Sequence, residues 1–308
     1  MQLTVPTPFP VGPVNLYALQ GEKGFYLIDA GVATPEARQL IKDWLPAPLQ
    51  GVLVTHGHPD HLGLAAEIAR EHNCPVYLNE DEFQRLKEPG SQALARAELL
   101  IQGGVPGEML AELTEVYQKS RQSYVVPLQD VEVRALKAGD VFETVQGPLE
   151  TLFTPGHSAG HCCFYLRQHG ILYSGDHILS DISPNPILDK GKDGQRRRSM
   201  LEYLQSVEMV AALPVKLVYP GHGQPFTDLA AVLARFRDYH QQREQTVMAA
   251  LDITPQTPYQ IACQVYPDMK ALDVFLGISK VWGHLDLLEQ EGKVTVTAKD
   301  NVHYYSLR

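Results

Sequence analysis

Between Val54 and Gly63 the chain reads VTHGHPDHLG, and this stretch limits the fold more than any other. It follows the apolar run GVLVT and leads into HLGLAAEIAREH, whose apolar residues recur at helical spacing from His61 to His72. A short apolar strand of the kind buried in parallel sheets must therefore give way, within a few residues, to a loop and an amphipathic helix. Three histidines and an aspartate crowd that loop, in a chain holding only 12 histidines among 308 residues. Nitrogen and oxygen donors placed where the backbone turns sharply can be aimed at one point, which is the requirement of a borderline divalent cation.

The flanking pattern alternates strand and helix. VNLYALQ and FYLIDAG, joined by GEKG, form a hairpin. TPEARQLIKDWL begins with Thr34-Pro35, the pattern of a helix cap and first turn, and CPVYLN is the next strand. This alternation predicts a sheet with helices packed on it. From Glu80 to Tyr124 the chain turns polar and helical, punctuated by Pro-Gly and Gly-Gly, which marks a helical insertion at 80–124. Strands return in VEVRAL, LETLFTPG, CCFYLRQ and GILYSGD, followed by a helix from about Ser199 to Leu213 and the strand KLVYPG. Two such halves face to face predict an α/β fold, a four-layer αββα sandwich, over residues 1–224. Residues 225–308 differ: a long helix, further helical stretches, and a ribbon turning at Lys299-Asp300-Asn301 outline a small winged-helix-like domain.

A formal net charge of −10 argues against a surface that attracts phosphate backbones as a whole. The N-terminus lacks a basic lead, and no run of about 18 apolar residues occurs, so the expectation is a cytoplasmic protein without a membrane partner. Cys74, Cys162, Cys163 and Cys263 show no Cys-x-x-Cys spacing. The adjacent pair would point to opposite faces of a strand, and free, mostly buried thiols are expected.

Further donors stand at strand ends downstream: His157 in TPGHSAGH, Asp176 in YSGDH and His222 in YPGHG, each following a glycine. In order and spacing these stretches resemble the metallo-β-lactamase superfamily over roughly residues 10 to 225. The resemblance implies that His56, His58 and His157 hold one metal, that Asp60, His61 and His222 hold another, and that Asp176 bridges them. Two Zn2+ are the expected cofactors, with Fe or Mn as alternatives. Such a pair lowers the pKa of a shared water from 15.7 to around neutral and polarises the group under attack. Asp60 would be the catalytic proton carrier toward the leaving group. Antibiotic-degrading members carry Cys or Ser where Asp176 stands, and di-iron electron-transfer members carry Glu where His58 stands, so hydrolysis of something other than a β-lactam is implied. No insertion separates His157, Asp176 and His222 widely enough for the cap of the β-CASP nucleases. Asp29, Thr55 and Ser158 would brace the ligand loops, and His161 and His177 would either hydrogen-bond to ligands or stand as ordinary structural histidines. His169, His240, His284 and His303 read as structural or solvated.

Substrate choice falls to the helical insertion and to the loop after Asp176. There Arg196, Arg197 and Arg198 form either a clamp for an anionic group or a solvated basic loop. The helix SKVWGHLDLLEQEG sets Asp286, Glu289 and Glu291 against Lys280, which disfavours DNA and favours packing or a homodimer. The leading expectation is a binuclear zinc hydrolase acting on an ester or thioester of a small acyl substrate. One alternative is a single-stranded RNA endonuclease using the same site, with RNA as partner. A second is a mononuclear iron enzyme like the persulfide dioxygenases, and a nucleic-acid-binding regulator stands last.

Overall fold

The computed structural model describes residues 1–87, 89–269 and 271–308, with side chains outside 89–92, 116–118, 120–121 and 271–272. In chain order the elements are β1 (Gln2–Val5), β2 (Val14–Gln20), β3 (Phe25–Ile28), α1 (Pro35–Trp44), β4 (Leu49–Leu53), α2 (Pro59–Leu62), α3 (Ala65–His72) and β5 (Val76–Asn79). The insertion follows as α4 (Glu80–Lys87), α5 (Pro89–Gln102) and α6 (Gly107–Tyr124), then β6 (Val133–Leu136), β7 (Val141–Thr144), β8 (Gly147–Phe153), β9 (Cys162–Leu166) and β10 (Ile171–Gly175). The chain ends with α7 (Ser199–Ala211), β11 (Leu217–Pro220), α8 (Leu229–Ala249), α9 (Pro258–Val265), α10 (Ala271–Gln290), β12 (Val294–Lys299) and β13 (Val302–Leu307).

Among the described residues one sheet runs β1-β2-β3-β4-β5-β6 and the other β11-β10-β9-β8-β7. The two-residue period of a strand sorts side chains between layers. Leu16, Leu27 and Val52 point to the outer core beneath α1 and α3, while Tyr17, Ile28 and Leu53, one residue on, meet Phe142, Leu149 and Phe164 between the sheets. On β9, Cys162 faces the inter-sheet layer and Cys163 faces the core under α7 and α8. Burial of these two apolar faces per strand is what stacks the chain into the four-layer αββα sandwich. All four cysteines are free, three of them buried.

The single helix expected from His61 to His72 is two. α2 ends at Leu62 and α3 begins at Ala65, because two other loops cross there: Leu64 N donates to Gly31 O (3.3 Å) and Val126 N donates to Gly63 O (2.8 Å). Apolar periodicity continues through the break and hides it. β1 and β7 were not expected, since each is only four residues long, too short a run for its alternation to stand out. Thr34 caps α1 as anticipated, accepting from Ala37 N at 3.2 Å.

A separate hydrophobic cluster joins the insertion to the C-terminal segment. Leu99, Leu100, Val105 and Leu113 pack with Val247, Ile261, Ile278, Trp282, Leu285 and Tyr305. The ribbon β12–β13 turns at Asp300 and Asn301, both with positive φ (50° and 63°), the geometry of a two-residue type I′ hairpin. Among the described residues no helix is long and apolar enough to cross a membrane.

Candidate metal centre

The donors gather where the ends of five segments meet. His56 and His58 follow β4, Asp60 and His61 ride on α2, His157 follows β8, and Asp176 and His222 follow β10 and β11. His58 is the N-cap residue of α2, yet its side chain makes no capping bond, so the ring stays available. Two glycines allow the approach. Gly175 has φ +49° just before Asp176. A Cβ on Gly221 would lie 2.5 Å from Asp176 Oδ1 and 2.8 Å from His61 Cε1.

Three trios result, with donor atoms mutually within 4.8 Å: His56, His58 and His157; His56, His61 and Asp176; Asp60, His61 and His222. In the first, His58 Nδ1 lies 2.9 Å from His56 Nε2 and 3.0 Å from His157 Nε2. In the others, Asp176 Oδ1 lies 3.3 Å from His61 Nε2 and 3.5 Å from His222 Nε2, and Asp60 Oδ2 lies 3.4 Å from His222 Nε2. All seven residues but His58 are buried.

The opposite ring edges are already engaged, which settles which nitrogen each ring presents. His61 Nδ1 donates to Asp29 Oδ2 (2.7 Å), His222 Nδ1 to Pro13 O (2.8 Å) and His157 Nδ1 to Asn185 O (3.2 Å). Asp29, held at φ +59°, also accepts from Thr55 N at 2.8 Å and from the Thr55 hydroxyl at 3.0 Å. Thr55 Oγ1 lies 3.1 Å from His56 Nδ1. The inward-facing atoms are left without a hydrogen-bond partner among the described residues: His61 Nε2, His222 Nε2 and Asp176 Oδ1. Buried polar atoms of native proteins are nearly always paired, and orphans converging on one point fit a divalent cation.

Electrostatics tell the same story. Burial pushes His58 and His157 down to about 4 and His56 well below the ordinary imidazole range, so these rings are neutral and their lone pairs free. Burial alone would also lower His61 and His222, but Asp176 above all, helped by Asp60 and, at His61, by Asp29, raises both. Burial would likewise raise Asp60 and Asp176, yet His61 leads the positive neighbours that hold both carboxyls low. Without a metal, protons on His61 and His222 balance the carboxylates; a cation would displace them.

Of the bracing residues, Asp29 bonds to His61 and Thr55 lies beside His56. His161 Nδ1 pairs with Thr154 Oγ1 (2.8 Å), and its Nε2 accepts from Asp176 N (3.2 Å), which orients that carboxylate's backbone. His177 turns away and packs edge-on against Tyr203, with centroids 5.4 Å apart. Ser158 makes no side-chain bond to a ligand and lines a second cavity on the far side of His58. Three residues escaped the sequence reading: Asn185 and Pro13, which act through backbone carbonyls, and Glu82. The buried Glu82 carboxylate accepts from Gly57 N (3.3 Å) and Gly160 N (2.9 Å), tying α4 to two ligand loops. Its place just after β5, in the acidic run Glu80-Asp81-Glu82, was the available signal.

Each arginine of the run is paired with a carboxylate of the chain, and Arg198 stays exposed. Arg196 makes a bidentate pair with the fully buried Asp286 (2.7 and 2.5 Å) and lies over the Trp282 ring at 4.4 Å. Arg197 pairs with Glu202 (2.6 Å) and Arg198 with Glu289 (2.5 Å). Two of the three acids read as exposed on α10 are therefore the partners of this run, which anchors the loop to the C-terminal helix.

The main cavity over the donors measures about 510 Å³, within the range of small-molecule sites. Phe9, Val11, Leu179, Ile182, Ile187 and Leu276 make its apolar wall, and His58, Asp60, His157 and Asp176 its floor.

Fold and site together define a class. The sequence profile described as the Metallo-beta-lactamase superfamily matches residues 9–222, and the chain belongs to that superfamily. It is 29% identical over 317 residues to the probable metallo-hydrolase YqjP of Bacillus subtilis (strain 168), covering 98% of this chain and 96% of that protein. Thioesterase pkgB of Emericella nidulans is 24% identical over 240 residues, covering 77% of this chain and 54% of that protein. Among solved structures, a metallo-beta-lactamase family protein of Thermus thermophilus superposes with a TM-score of 0.83 at 30% identity, covering 100% of this chain and 98% of that one. A beta-lactamase domain protein of Burkholderia ambifaria superposes equally well (0.83) at 25% identity, covering 100% and 92%.

Proposed function

We propose that this metal-dependent hydrolase carries two zinc ions and cleaves ester or thioester bonds of small acyl substrates. The observation that carries the reading is the convergence of buried, unpartnered donor atoms at the foot of one apolar cavity. His56 Nε2, His58 Nδ1 and His157 Nε2 would hold one ion, Asp60, His61 Nε2 and His222 Nε2 the other, with Asp176 between them. When bound, such ions supply Lewis acidity toward the carbonyl oxygen and bring the pKa of a coordinated water to near 7.

The chain's own residues do the rest. Asp29, Thr55, Pro13 O and Asn185 O fix the ring tautomers, so that no reorientation is needed during turnover. The apolar wall receives the acyl chain and excludes bulk water. Asp60, on the cavity floor, accepts the proton of the attacking water and returns it to the departing sulfur or oxygen. The thioesterase name of the Emericella relative favours thioesters among acyl substrates. The paired state of Arg196, Arg197 and Arg198 removes the cations that an RNA backbone would have met.

Protein purified without added metal is expected to contain two zinc per chain and to hydrolyse butyryl-N-acetylcysteamine. Chelation should abolish turnover and zinc restore it. One iron per chain with oxygen uptake, or thioester cleavage surviving chelation, would overturn the reading. Cleavage of single-stranded RNA without thioester turnover would replace it with the nuclease.

A further inference from the structure

The C-terminal helix α10 is part of the cavity. Leu276 and Lys280, one turn apart on it, both line the space above the donors. The helix is held against loop 182–188 by Asn185 Nδ2 donating to Leu276 O (3.1 Å) and Leu188 N donating to Ser279 Oγ (3.3 Å). The same Asn185 carries the carbonyl that orients His157. Asn185 thus contacts both the wall and His157 of the floor.

A polar chain runs behind this wall. His284 Nδ1 donates to Lys280 O (2.7 Å), which leaves its Nε2 to accept from His240 Nδ1 (3.4 Å). His240 Nε2 must then accept from the Ser183 hydroxyl (3.1 Å). Both imidazoles are buried, and burial pushes each down to about 4, so both are neutral at physiological pH. Neutral imidazoles supply no negative charge, so neither offsets the Lys280 ammonium. In front of it, the carboxylates on the cavity, Asp60 and Asp176, face the histidine cluster, and no ion pair joins Lys280 to any described carboxylate. The remaining lining is mostly apolar. An ammonium with no counter-ion on such a wall is a point of attraction for an anion entering with the substrate.

We propose that Lys280 binds an anionic oxygen group, a carboxylate or a phosphate, carried by the acyl substrate, and so makes α10 the specificity wall of the metal site. This rests on the acyl-hydrolase reading above. It assigns to the C-terminal segment a role in catalytic selection, in addition to packing.

The test compares substrates with and without an anionic group. Succinyl- against butyryl-N-acetylcysteamine places the anion in the acyl half; butyryl-coenzyme A against butyryl-N-acetylcysteamine places it in the thiol half. In the zinc-loaded enzyme, Lys280→Met keeps the apolar stem and removes the charge. The charged-over-neutral ratio of kcat/KM should fall about tenfold in at least one pair, through KM, and Lys280→Arg should restore most of it. The pair affected tells whether the anion sits on the acyl or the thiol half. An unchanged ratio in both pairs overturns the inference. Calorimetry with succinate, butyrate and inorganic phosphate needs no turnover: a loss of affinity in Lys280→Met for succinate beyond that for butyrate, which has one carboxylate fewer, or for phosphate, supports the role, and equal binding by both proteins refutes it. If wild type cleaves none of the thioesters, the acyl-hydrolase reading fails, and the calorimetry alone decides Lys280.

Discussion

Two of the buried polar assemblies among the described residues differ in one respect. Around Arg196, every group is answered from within: the guanidinium meets both oxygens of Asp286, and Trp282 Nε1 donates to Tyr305 Oη at 2.7 Å. Around Asp176, the backs of the rings are answered and the fronts are not. The first assembly is complete as folded and stitches the loop after β10 to α10. The second has its desolvation only partly offset and is built for something that arrives later. A buried charge network therefore signals function less by its charge than by what it leaves unpaired.

The largest effects should separate the two. Asp176→Asn is expected to lower kcat/KM by roughly a thousandfold, the loss that follows if the proposed metal pair supplies about 4 kcal/mol of transition-state stabilisation. The melting temperature of the chelated protein should move less than in the next variant. A stability loss exceeding the activity loss would erase the distinction. Conversely, Arg196→Met strands the Asp286 carboxylate in the core and should cost about 3–5 kcal/mol in urea unfolding, with zinc content unchanged. Replacing both partners, Arg196→Met with Asp286→Leu, should recover most of that loss.

Smaller effects sharpen the contrast. Asp29→Asn keeps the shape but weakens the brace on His61, and should reduce zinc affinity by about 10–100-fold in competition with a chelating dye. The weakest effect is on acid stability. His240 and His284 have folded-state values near 4, below the ordinary 6.5, so the unfolded chain protonates first as pH falls. Their contribution is whole above about pH 6.5 and is lost toward pH 4, each by up to about 1.4 kcal/mol per pH unit. Urea midpoints measured from pH 7 to 4.5 should show this slope, flattened in His284→Asn. A slope unaltered by that change would place the acid sensitivity elsewhere, in the metal cluster itself.

Much of the donor set could be read from the chain because each ligand sits beside its own punctuation: a strand end, a glycine, a short loop. His56, His58, Asp60 and His61 lie within six residues, and His157, Asp176 and His222 each follow a glycine. The sandwich was legible for the same reason, since strand period and helix period are local signals. The break between α2 and α3 was not, because it depends on loops from Gly31 and Val126 crossing there. Nor was the pairing of Arg196 with Asp286, 90 residues along the chain.

The sequence by itself determined which side chains could ligate and where most of the longer strands and helices would lie, because spacing and periodicity act over a few residues. Only the tertiary structure decided what those groups face. It turned a basic loop into an anchor, brought α10 and Lys280 to the edge of the donor floor, and left three donor atoms without hydrogen-bond partners among the described residues. Such outcomes depend on which distant surfaces are buried together, and burial is a property of the packed whole.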